Sequence, residues 1–335
     1  MSTGLVIQDK EKNEYVWVEV PKISDIYITA GLNITEEEFD EVQDEFVDET
    51  TNNIYNKIEK DLQLYANYYR NDTNFKDTWR KEYFNSSNWY TKKQYYDIKK
   101  KMLKSIYQNG GFWVGRYEAG IPDGKGCRTN WSEISDEDRA EIKANLYPYN
   151  YTKRTDAKVL AERVNKGSCT SSLMFGIQWD LVLKYIEEKT VENELENKEK
   201  AREEIREKLN VKSIDIGNYY NSEFMLDRGK FARANDWGDW YEFDSKKRDS
   251  LVSNKKKLAQ VSNNNAILLT TGASDATCLQ NIYDLIGNVT EWTIESNEDN
   301  SATTRGSSVW ANGNVSPGSE RNAKSSGLYT YTTRI

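Results

Sequence analysis

The chain has 335 residues and a formal charge of −8, with 46 Lys and Arg against 54 Asp and Glu. Its run Lys255-Lys256-Lys257 is short, which argues against a nucleic-acid partner, because phosphate binding needs a basic stripe and counterion release. Histidine is absent, which excludes a Ser-His-Asp triad, a Cys-His pair and His-ligated zinc or haem.

At one domain per ~150 residues, the length predicts about two domains. The apolar share of 37% is modest, but 10 Trp, 22 Tyr and 9 Phe bury enough area for a sizeable core. No stretch approaches the ~18 apolar residues of a membrane span, so no membrane partner is expected. Met1 to Asp9 has neither a basic start nor an apolar run, so no signal peptide is expected. Cys127, Cys169 and Cys278 are too scattered for a disulfide framework or a four-ligand zinc site and are read as free or buried thiols.

In chain order, Leu5–Gln8 and Tyr15–Val20 predict a hairpin around a polar turn at Lys10–Asn13, ended by Pro21. Thr35 predicts a helix N-cap, with Glu38 closing a capping box. Phe39, Val42, Phe46, Ile54, Ile58, Leu62, Tyr65 and Tyr69 follow at helical spacing, with a break expected near Thr50–Asn53. A second helix is predicted near 91–108, with Tyr95, Ile98, Met102 and Ile106 on one face. Phe112–Glu118 reads as a strand and Asp156–Val164 as a short helix. Ser172 is the expected cap of another helix, through Trp179, Val182, Leu183 and Ile186. Between Glu187 and Asn210 the pairs Glu194–Lys198, Glu196–Lys200 and Glu204–Lys208 predict a solvated helical insertion. From Gly217 onward short strands joined by long loops are expected.

The most specific segment is Asn281-Ile282-Tyr283-Asp284-Leu285-Ile286-Gly287-Asn288-Val289-Thr290-Glu291-Trp292-Thr293. It resembles the hallmark of the formylglycine-generating enzyme, or sulfatase-modifying factor, family. Phe112–Glu118, Gln178-Trp179, Arg305-Gly306-Ser307-Ser308-Val309-Trp310 and Arg334-Ile335 resemble further family segments, in the family's order. The resemblance covers the hairpin and most of 111–335. It implies an α+β, C-type-lectin-like fold with little regular structure. The implied organisation is a hairpin at 1–21, a helical insertion at 22–110 for attachment or oligomerisation, and a lectin-like domain at 111–335 with a charged helical insertion at about 187–260.

The same segment offers oxygen donors for calcium, which takes ~6–8 oxygens. Asp284 and Glu291 are carboxylates, and the carbonyls of Gly287 and Val289 point one way if the strand is extended. The resemblance implies calcium held by the Asp284 and Glu291 side chains and those two carbonyls. The alternative is that Asp284 caps a turn and Glu291 pairs with a buried arginine. The family's enzymes hold copper on two cysteines after the Arg-Gly-Gly-Ser-Trp segment, and soft thiolates are what Cu(I) needs. Val309–Ile335 contains no cysteine, so no copper and no catalytic residue is expected.

A scaffold of this kind without the chemistry resembles bacteriophage and prophage structural and receptor-binding proteins. The reading is a non-enzymatic virion protein, assembled in the bacterial cytoplasm, with other virion proteins and a host surface glycan or protein as partners, and oligomeric as copies of itself. Trp310, Asn312, Asn314, Tyr329 and Tyr331 combine aromatic anchors with small polar groups and are the candidate receptor contacts. A formylglycine-generating-type oxidase with an unrecognised site and a bacterial surface adhesin stand as alternatives.

Overall fold

A computed structural model describes residues 4–42, 52–70, 74–82, 86–123, 125–128, 132–165, 169–234, 240–242, 257–259, 267–297, 299, 301–324 and 332–333. The chain is mixed helix and sheet, with a curled antiparallel sheet forming a half-barrel.

Strands β1 (Val6–Gln8) and β2 (Glu14–Glu19) form the opening hairpin, closed by the Asp9 carboxylate, which accepts hydrogen bonds from the Glu11 and Asn13 amides at 2.8 Å. Helix α1 (Glu36–Asp40) starts at Thr35 with the expected reciprocal bonds to Glu38. Helix α2 (Ile54–Tyr65) is capped by Asn53, which accepts from the Asn56 amide at 3.0 Å. Phe46 and the Thr50–Thr51 part of the expected break lie outside the described residues. Strand β3 (Phe75–Lys76) and helix α3 (Lys92–Asn109) follow, α3 ending on Gly110 at φ +73°, a conformation that favours glycine.

The buried face of α3 is Tyr95, Tyr96, Lys99, Leu103, Ile106 and Tyr107, so the expected stripe is rotated. Ile98 and Met102 are only partly buried and line a surface cleft instead. Lys99 enters the core because its ammonium meets Glu59 at 2.7 Å and donates to the Asp77 carbonyl at 2.7 Å. Strand β4 (Gly111–Gly115) pairs antiparallel with β2, completing the sheet β1-β2-β4.

Helix α4 (Arg154–Val164) matches the predicted short helix. Helix α5 (Gly176–Glu192) does not start at Ser172. Its first turn is capped by Asp77, whose carboxylate accepts from the Gly176 and Ile177 amides at 2.7 and 2.8 Å. That cap lies 99 residues away in sequence, beyond the reach of local pattern. Helix α6 (Lys198–Asn210) is the charged helix, with Lys200–Glu204 as its recorded internal ion pair at 3.6 Å, in place of the expected pairs. It docks on α5 through Glu187, which is fully buried and meets Lys184 and Arg206 at 3.0 Å each.

The remaining strands are β5 (Glu223–Met225), β6 (Phe231–Ala234), β7 (Trp240–Glu242), β8 (Lys257–Ala259), β9 (Ile267–Leu269), β10 (Cys278–Leu279), β11 (Ile282–Tyr283), β12 (Glu291–Asn297), β13 (Ala302–Arg305), β14 (Arg321–Lys324) and β15 (Thr332–Thr333). The largest sheet runs β14-β13-β12-β15, with β3 also pairing to β12. Strand β12 is buried from Glu291 to Ser296. The segment 22–110 packs into the main core: Ile58, Leu62, Leu103 and Ile106 share one cluster with Val16, Trp179 and Trp292. A smaller cluster of Phe224, Leu226, Phe231, Ile267, Leu269 and Ala273 supports the strands after α6. No helix among the described residues is long and apolar enough to cross a membrane.

Candidate functional site

Three of the family-like segments meet in one place. The loop between β11 and β12 turns through Asp284, Gly287 and Asn288, all at positive φ. Gly287 is required by close approach as well: a Cβ there would lie 2.5 Å from the Asn218 amide nitrogen. Its amide donates to the Gly306 carbonyl at 2.6 Å, joining this loop to the one after β13. The Trp179 indole packs under that junction and donates to the Gly318 carbonyl at 3.0 Å.

Asn288 is fully buried and is the polar hub of the loop. Its amide nitrogen donates to Glu118 Oε2 at 2.7 Å and to the Leu269 carbonyl at 3.2 Å. Its carbonyl oxygen accepts from the Leu269 amide at 3.0 Å and from Asn218 Nδ2 at 2.9 Å. An amide side chain offers two donors and two acceptor lone pairs, and each is met here.

Beside this hub lies a buried charge network. Arg305, on β13, reaches Asp180 at 2.8 Å and Glu295 at 3.4 Å, and all three are fully buried. Arg321 meets the same carboxylates at 2.6 and 2.9 Å, and Arg70 meets Asp180 at 3.3 Å. Burial pushes Glu295 up, but Arg321 and Arg305 outweigh it and hold the carboxyl below the ordinary glutamate range. Burial, reinforced by Glu295 and Glu59, pushes the Asp77 carboxyl up to about 6 against the pull of Lys99 and Arg70. Sequence reasoning missed Asp180, Glu295, Arg321 and Asn218. A signal existed in the alternation Glu291-Trp292-Thr293-Ile294-Glu295, which reads as one polar strand face; here that face is buried against arginine.

The expected calcium ligands occupy this framework. Asp284 accepts from the Gly272 amide through one oxygen and from the Thr277 hydroxyl through the other, both at 2.7 Å. Val289 is buried, and its amide donates to Glu118 at 3.2 Å. Glu291 is buried opposite Arg305 in the β12–β13 register. No group of three or more His, Cys, Asp or Glu that could hold a metal occurs among the described residues. The two bonds to Asp284 anchor the turn, and each carboxylate oxygen keeps a further lone pair. Asp284→Ala would strand the buried Gly272 amide, at about 1–3 kcal/mol, while the Thr277 hydroxyl keeps the Ser274 carbonyl at 3.0 Å as its acceptor. The expected result is the same drop in urea midpoint with calcium as with a chelator. A calcium-dependent rise in Tm that vanishes in D284A would favour the metal reading.

The candidate receptor residues are spread over different environments. Trp310 is partly buried and packs against the main core. Asn312 accepts from Asn221 Nδ2 at 2.9 Å and from the Asn314 amide at 3.0 Å, which shapes a tight turn. Asn314 is exposed beside Val315, which is 71% exposed. Tyr329, Tyr331 and Arg334 lie outside the described residues.

Sequence reasoning did not foresee a cleft of about 1070 Å³ between the opening hairpin, α3 and residues 164–165 and 169–178. Its floor is one face of the sheet β1-β2-β4, carrying Ile7, Tyr15, Trp17 and Trp113. Trp17 and Trp113 are register partners whose rings meet edge to face, with centroids 5.0 Å apart. Gly111 makes room for this pair: a Cβ there would come within 2.7 Å of the Trp17 ring. Trp113 is 39% exposed and Ile7 40%. Asn165 donates to the Tyr15 hydroxyl at 2.8 Å, and Gln178 accepts from the Phe175 amide at 3.0 Å. Cys169 stands at the rim as a free thiol; burial and the nearby Asp9 push it up, so it is protonated and weakly nucleophilic at neutral pH.

No protein-family model and no curated protein matches this chain. Function therefore has to be argued from the site itself. The motif region is a hydrogen-bonded framework, and the cleft is an aromatic-floored surface whose walls mix polar and apolar side chains. Its elements are scattered over residues 7–178, which is why no single stretch announces it.

Proposed function

We propose that this is a non-enzymatic binding protein on a C-type-lectin-like scaffold, carried by a bacteriophage or prophage particle and directed at a host surface glycan or protein. One observation supports it above the others: Asn288, Arg305 and Trp179, which lie in the family-like segments, each direct polar atoms into buried internal bonds. These three side chains serve to hold the scaffold, whereas Trp113 and Gln178, from the family-like segments Phe112–Glu118 and Gln178-Trp179, face the cleft together with Trp17. Large exposed apolar side chains grouped on one surface mark interaction sites. The virion assignment is supported by the motif resemblance together with the lack of cysteine in Val309–Ile335.

The first test incubates the protein with a cysteine-containing sulfatase peptide, copper and oxygen, followed by mass spectrometry. The peptide mass is expected to stay unchanged. Conversion of the target cysteine with turnover would overturn the binding-protein reading. Antibody labelling of purified particles, seen by electron microscopy, tests the location; labelling of a bacterial envelope without particles would favour the adhesin.

A further inference from the structure

We infer that the cleft over Trp17 and Trp113 binds a short neutral oligosaccharide. The inference rests on the binding-protein reading and adds to it a ligand class and an address away from the 305–335 loops. A pyranose ring presents an apolar face of C–H groups and an edge of hydroxyls. The C–H face needs an exposed, rigid aromatic surface, which Trp113 supplies on a sheet face with its ring set against Trp17. Hydroxyl groups need partners that both donate and accept, which amide and hydroxyl side chains do. Asn165, Ser171 and Gln178 place such groups on one wall, each already fixed by an internal bond: to Tyr15, to the Ala161 carbonyl and from the Phe175 amide. Fixed side chains lose little rotamer freedom when a ligand arrives.

Charge favours a neutral occupant. Asp9 and Glu11 at the lining are balanced by Lys10 and Lys101, and the Asp9 carboxylate is tied into its own turn. Shape favours a sugar over an extended peptide. Peptides that add to a sheet use its unpaired edge, whereas this floor is the face of a sheet. The volume of about 1070 Å³ exceeds the needs of one sugar ring and suits a chain of a few. On the α3 side Ile98 and Met102 form an apolar patch, flanked by Lys101, Ser105 and Asn109. That patch suits an acetamido methyl, so chitotriose is the better probe and cellotriose the comparison.

The experiment titrates the full chain with chitotriose and with cellotriose, read by tryptophan fluorescence and by calorimetry. Saturable binding of at least chitotriose is expected. Trp113→Ala is expected to weaken it about tenfold or more, as removal of an aromatic anchor does. Ser105→Trp, on the α3 wall, is expected to block the cleft while leaving Trp113 and the Tm in place. Absence of saturable binding by either trisaccharide at millimolar concentration overturns the inference. So does unchanged affinity in both variants while each keeps its wild-type Tm. If neither sugar binds and the sulfatase peptide also stays unmodified, only the ligand class has failed. If a sugar binds and the peptide is converted, the binding-protein reading fails while the cleft assignment stands.

Discussion

Arg305→Ala is expected to cost about 3–5 kcal/mol, because it removes one guanidinium partner from two buried carboxylates. Asp180 and Glu295 are both fully buried, and Arg305 bridges them from β13. Arg321 contacts the same two groups, so the network loses one of its charges and does not dissolve. The loss is still a large share of a typical domain stability of ~5–15 kcal/mol. Arg305→Lys should fall between wild type and R305A, since a lysine keeps the charge but not the two-pronged fork that spans both carboxylates.

The pH dependence carries a definite sign. Glu295 is held below its ordinary range in the folded protein, so its contribution is present above the unfolded pKa and is lost as pH falls through the folded one. The gap in urea midpoint between wild type and R305A should be widest near neutrality and narrow on acidification, as Glu295 takes up a proton. A gap that stays constant as the pH falls from neutrality to well below the ordinary glutamate range would mean that the pair is solvated and that its burial does not govern stability.

Asn288→Asp is the second large effect, although the two side chains have nearly the same shape. The amide nitrogen that now donates to Glu118 at 2.7 Å and to the Leu269 carbonyl at 3.2 Å becomes an oxygen facing two acceptors. At neutral pH that places a second carboxylate against Glu118 in a fully buried site. The expected cost is about 3–5 kcal/mol, the scale for a buried charge left uncompensated. One of the two carboxyls would have its pKa pushed up by the other, and a proton there would restore a donor. N288D should therefore recover part of its stability as the pH falls, whereas Asn288→Ala, which cannot regain a donor, should not. Thermal melts of both variants across the acid range check this; parallel behaviour of N288D and N288A would remove Glu118 from the account.

What could be read along the chain is whatever depends on near neighbours. Thr35 with Glu38, Gly110 after α3 and the Asp9–Asn13 turn are decided within a few residues, and each forms as its local chemistry dictates. The composition of the β11–β12 loop likewise marked it as special, since positive-φ backbone at Gly287 and Asn288 needs residues of that kind.

The contacts that hold that loop come from residues distant in sequence as well as near. Asp284 and Glu291 are as suitable for calcium as for structure when read alone. Asp284 becomes a turn anchor because Gly272 and Thr277 happen to converge on it. The start of α5 moved for the same reason, because a carboxylate 99 residues upstream satisfies its first amides. The rotation of α3 follows from Lys99, a residue that reads as solvent-facing until Glu59 and the Asp77 carbonyl meet its ammonium inside the core. The cleft is the extreme case. Trp17 and Trp113 are unremarkable strand residues in sequence, and only the β2–β4 pairing places their rings together under walls drawn from α3, 164–165 and 169–178. Local chemistry determined the Thr35 cap, the Gly110 stop and the Asp9–Asn13 turn of this protein, because their free energies depend on adjacent residues. The burial of charge and the making of the cleft were decided in the tertiary structure, because both depend on which distant groups arrive to replace water.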